Sequence, residues 1–96
     1  MRYFHRTTLP PDQVLEEADR FFGGLIRESA RGPRERTFAG TVGEIRVNVR
    51  AEGGHYTLIT IVTDQVGESE ADKWAKRFLG MVHRRVEPTH HVRGAY

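Results

Sequence analysis

His5, His55, His83, His90 and His91 are the side chains best suited to proton transfer or metal binding. None belongs to an H-E-x-x-H pattern or to another spacing that gathers zinc ligands. His90 and His91 are adjacent near the chain end, a placement that rarely closes a metal site. His55 follows a Gly-Gly turn and faces Glu52, so the two can form a His–carboxylate pair that orients a general base. On an exposed hairpin tip such a pair is a surface contact of about 0–1 kcal/mol. The chain has no cysteine, which removes disulfides, thiolate metal sites and cysteine nucleophiles together. It carries no G-x-S-x-G, P-loop or dinucleotide fingerprint. The expectation is a non-enzymatic protein with no catalytic residues, cofactor or metal.

The arginines are the remaining chemical resource. Thirteen of the fifteen basic residues are Arg, whose rigid fork suits carboxylates and phosphates. Arg46, Asn48 and Arg50 recur at every second position, and Arg34 and Arg36 do so in the preceding run. These four arginines are the candidate contacts for an anion or nucleic acid. The formal net charge is only +2, short of the basic excess expected of a dedicated nucleic-acid binder.

These residues are positioned by a hairpin over 44–64. The runs E-I-R-V-N-V-R-A-E and H-Y-T-L-I-T-I-V-T-D flank Gly53-Gly54, and a two-residue type I′ turn wants φ > 0 at both central positions. Such a turn sets Glu52 opposite His55, Val47 opposite Thr60 and Ile61 opposite Arg46. One face is then Ile45, Val47, Val49, Ala51, Tyr56, Leu58, Thr60 and Val62, the expected core. The other carries Arg46, Asn48 and Arg50 beside Thr57, Ile59, Ile61 and Thr63. Two isoleucines on a face that should meet water mark an interaction surface. Thr57, Ile59, Ile61, Thr63 and Asn48 are therefore the expected interface.

A first strand is read over 2–8. Pro10 and Pro11 suit a helix start. Val14, Leu15, Ala18, Phe21, Phe22, Leu25 and Ile26 then predict one helix over 12–29, bent at Gly23-Gly24. Residues 34–40 read as a second strand with Phe38 in the core. Ser69-Glu70-Ala71-Asp72 has the form of a capping box, opening a helix that buries Trp74, Phe78, Leu79 and Val82 and closes at Pro88. Asp72–Lys76 and Glu70–Lys73 are spaced for helix-surface ion pairs. Residues 89–96 read as a flexible tail behind a single domain over 1–88. The fold class is α+β in two layers, β-α-β-β-β-α, with two helices on one face of a four-stranded antiparallel sheet.

That element order is similar to half of the TATA-binding-protein fold and to the helix-grip folds, with one strand fewer. The resemblance implies a curved sheet offering its open face to DNA or a lipophilic ligand. Residues 12–87 also resemble the α-β-β-β-α order of double-stranded-RNA-binding domains. Where that family sets lysines at the start of its last helix, this chain has Glu68-Ser69-Glu70-Ala71-Asp72, which repels phosphate.

No apolar run approaches the ~20 residues of a membrane span, so no membrane partner and a cytoplasmic location are expected. The leading expectation is self-association, as a homodimer or higher homo-oligomer, through the open sheet face. Nucleic-acid or anionic-ligand binding by that face stands second. A lipophilic small ligand between the first helix and the sheet, with Gly23-Gly24 leaving room, stands third.

Overall fold

A computed structural model describes residues 1–66 and 69–86. Residues 67 and 68, Pro88, and the tail 89–96 with His90 and His91 lie outside the described residues. The elements run β1 (Arg2–Thr7), α1 (Pro11–Gly23), β2 (Arg27–Gly32), β3 (Glu35–Gly40), β4 (Gly43–Glu52), β5 (Tyr56–Thr63) and α2 (Glu70–Val86). The sheet order is β1-β5-β4-β3-β2, and every neighbouring pair is antiparallel. Both helices pack on one face, and the 21 Å shortest dimension fits two layers.

The α+β class and the two-layer arrangement match the expectation, but the sheet has five strands, not four. The extra one is β2, taken from the second half of the expected first helix. Gly23 and Gly24 end α1 rather than bend it. Each weakens a helix by about 1 kcal/mol relative to Ala, and the Leu25 and Ile26 N–H groups both donate to the Phe22 carbonyl, at 2.9 Å each. Ile26 then packs under Gly40, where an added Cβ would lie 3.3 Å from its Cγ2. This contact turns the chain into β2, which pairs with β3 through a bulge between Glu28 and Ala30.

The central hairpin forms as expected, with a different register. Gly53 and Gly54 both take left-handed φ, 63° and 74°. The connection includes His55 as well, so Glu52 pairs with Tyr56. A one-residue slip turns every side chain of β5 to the opposite face. Val47 thus meets Ile61, and Val49 meets Ile59, beneath the helices.

The core joins Ile45, Val47, Val49, Ile59 and Ile61 of the sheet to Val14, Ala18 and Phe22 of α1 and to Ala75, Phe78, Leu79 and Val82 of α2. Phe22 anchors it, with its ring 5.3 Å from that of Phe38 and 5.1 Å from that of Phe78. Trp74 packs against the edge of this cluster. Among the described residues no helix is long and apolar enough to cross a membrane.

The start of α2 is secured by Asp72, which is turned inward instead of toward Lys76. Ser69 accepts the Asp72 N–H at 3.2 Å and donates its hydroxyl back to the carboxylate. Tyr3 and Thr63 donate to the same carboxylate at 2.7 and 2.9 Å. One fully buried acid therefore ties β1, β5 and α2 together.

Candidate interaction surface

The sheet face away from the helices is set by the pairing register. Across one row lie Arg2, Val62, Arg46 and Thr37; across the next, Phe4, Thr60, Asn48 and Glu35; across a third, Arg6, Leu58 and Arg50. Tyr56 and Glu52 close one end. Tyr56, Leu58, Thr60 and Val62 form a band along β5, and Phe4 stands beside it on β1, opposite Thr60. Phe4 is 49% exposed and Tyr56 52%, the values of side chains with one flank uncovered.

This is the face expected to interact, but its apolar residues are not the expected ones. Ile59 and Ile61 are fully buried, and Thr57 and Thr63 nearly so. Thr57 donates its hydroxyl to the Leu9 carbonyl at 2.7 Å, and Thr63 donates to Asp72. These four residues serve the interior, because the three-residue turn carries them under the helices. Asn48 alone of the five expected interface residues lies on the open face, and it is exposed.

Arg46 and Arg50 also lie on the open face, each beside a carboxylate. Arg46 meets Glu44 at 3.2 Å; Arg50 and Arg6 both meet Glu52, Arg50 at 3.6 Å. The Arg6 hydrogen bond holds the Glu52 carboxyl below the usual carboxylate range. Arg34 and Arg36 belong elsewhere. Arg36 points to the helix side and is nearly buried, donating to Asp19 at 3.0 Å and to the Gly32 and Glu35 carbonyls at 2.6 and 2.9 Å. Arg34 sits in the β2–β3 turn and meets Asp12 at 3.2 Å. The four arginines therefore do not form one anion site.

Sequence reasoning missed Phe4, Leu58, Val62, Arg2 and Arg6 as surface residues. Strict alternation along β1 was the available signal, with Tyr3, His5 and Thr7 turned inward and Arg2, Phe4 and Arg6 outward. Nothing in β1 alone states which set is buried.

His5 and His83 bring two imidazoles together, 5.9 Å between ring centres, where β1 meets α2. Burial and then the neighbouring His83 lower the His5 pKa below 6.5. His55 stays on the hairpin tip, while Glu52 is engaged by arginines. Among the described residues no group of three or more His, Asp or Glu side chains converges as a metal site.

A cavity of about 360 Å³ lies between α1 and α2, lined by residues of the helix layer. It borders Gly24 but opens between the helices, not between α1 and the sheet where the third expectation set a ligand. Between α1 and the sheet, Val14, Leu15, Ala18 and Phe22 pack tightly against the strands.

No protein-family model, curated protein or solved structure matches this chain.

Proposed function

We propose that this is a non-enzymatic protein that works by self-association through the open face of its sheet. The observation carrying the reading is the makeup of that face. An apolar band of Phe4, Leu58, Val62 and Tyr56 is flanked by cations and anions in alternation, Arg2, Arg6, Arg46 and Arg50 against Glu35, Glu44 and Glu52. A surface of both signs around an apolar centre can complement a second copy of itself, as a two-fold interface requires. Phosphate binding is less well served, because three of the four arginines already meet carboxylates on the same face. The fifth strand supplies the element that the likeness to the TATA-binding-protein and helix-grip layouts lacked, and it supports assignment to that general layout.

Light scattering on the eluting size-exclusion peak tests this reading with wild type and Leu58→Glu. Wild type is expected as a dimer at tens of micromolar, and the variant as a folded monomer with an unchanged far-UV spectrum. A monomeric wild type at that concentration overturns the proposal. So would tight RNA or DNA binding that weakens steeply with salt and is lost in Arg46→Gln/Arg50→Gln.

A further inference from the structure

We infer that the cavity between the helices is a binding site for a small amphiphile with one anionic head, a carboxylate or phosphate on a hydrocarbon body. Its lining comes from one ridge of each helix. Glu17, Arg20, Phe21 and Gly24 recur at helical spacing on α1 and its cap, and Arg77, Met81 and Arg85 recur every fourth residue on α2.

Two kinds of surface meet there. Phe21 and Met81, partly buried against the core, and the 44% exposed Leu25 provide an apolar wall. Around it stand three guanidinium groups and one carboxylate, a local excess of two positive charges. That carboxylate, Glu17, is nearly buried and serves as an internal anchor. It takes Arg85 at 3.0 Å and Arg20 at 3.3 Å, which holds both forks at the cavity edge before any ligand arrives. Arg77, two turns before Arg85 on the same ridge of α2, makes no ion pair among the described residues.

The volume corresponds to about a dozen water-sized groups, within the range of small-molecule sites. Arg77, whose guanidinium has no carboxylate partner among the described residues, stands beside an apolar wall on a rim of net positive charge, and that combination calls for an anion attached to something oily. A small hydrophilic anion would leave the exposed flank of Leu25 uncovered, and a neutral oil would gain nothing from the positive rim. The site lies on the helix layer, opposite the open sheet face, so the inference stands apart from the self-association reading.

Isothermal titration of the full chain with decanoate, decyl phosphate, decanol and acetate, all below micelle-forming concentrations, tests it. Decanoate or decyl phosphate is expected to bind one molecule per chain, and the tighter of the two identifies the head. Decanol and acetate are expected to bind at least ten-fold more weakly. Arg77→Gln should weaken the preferred anion about ten-fold, the loss of one charge-assisted hydrogen bond. Met81→Glu should abolish binding; thermal melts of both variants check that they remain folded. Decanol binding as tightly as both anions, no anion binding at all, or an undiminished affinity in folded Arg77→Gln would each overturn the assignment.

Discussion

The Thr63 hydroxyl donates to the buried Asp72 carboxylate at 2.9 Å, joining the end of β5 to the first turn of α2. Tyr3 reaches the same carboxylate from β1. Replacing Asp72 by Ala strands two hydroxyl donors and removes the Ser69 capping partner, for a loss of roughly 3 kcal/mol. Tyr3→Phe removes one charge-assisted bond, about 1.5 kcal/mol. Urea unfolding followed by circular dichroism should rank Asp72→Ala well below Tyr3→Phe, with Asp72→Asn between Asp72→Ala and wild type.

Acid should weaken the fold in two stages. Burial lowers the His5 pKa below 6.5, helped by His83. The unfolded chain then binds the His5 proton more readily, so stability is full above 6.5 and falls as pH drops toward the folded value. Burial alone would raise the Asp72 pKa, but hydrogen bonds from Ser69, Tyr3 and Thr63 outweigh it and leave it below 3.8. Its contribution is full above 3.8 and is lost as pH falls through the folded value. Midpoints of urea unfolding between pH 8 and pH 2 should show both declines. His5→Gln should flatten the upper one and Asp72→Asn the lower.

Neighbouring residues on β5 should differ sharply in their tolerance of truncation. Ile61 is fully buried against Val47, so Ile61→Ala should cost about 2–5 kcal/mol. Val62 lies on the open face, and Val62→Ala should cost less than about 1 kcal/mol. Equilibrium unfolding of the two variants measures the difference, and the reverse order would require the other hairpin register.

β2 should be the first strand to open. It is exposed along most of its length and has a single neighbouring strand. Arg36 secures it by donating to the Gly32 carbonyl while held by Asp19. Arg36→Ala should cost about 2 kcal/mol. Amide hydrogen exchange should show faster opening of β2 than of β4, widening further in the variant.

Most of the architecture is legible in the sequence because its segments have strong periodicity. The stripe from Val14 to Phe22, the alternation over Ile45, Val47 and Val49, and the Ser69 cap each declare an element that forms. β2 declares none. R-E-S-A-R-G has no apolar alternation, its residues favour helix as readily as strand, and it becomes a strand only because Ile26 and Arg36 hold it against β3. The facing of β5 is not legible in the same way. Gly-Gly announces a hairpin without stating whether its turn has two residues or three, and β5 is rich in apolar side chains on both faces. Sequence alternation could not choose between Ile59/Ile61 and Leu58/Val62; the number of turn residues chose.

The strand order carries a kinetic consequence. β2 to β5 form a meander whose neighbours are joined by short turns, so its hairpins can close quickly from local contacts. β1 pairs with β5 across nearly the entire intervening chain, Arg2 with Val62, and that large loop closure costs the most entropy. The slow step of folding should be the arrival of β1. A circular permutant that begins at α1 and carries β1 behind α2, on a linker long enough to run back along the helix from Val86 to Arg2, would shorten that search in sequence. Stopped-flow refolding should show it reaching the native state faster than the natural order.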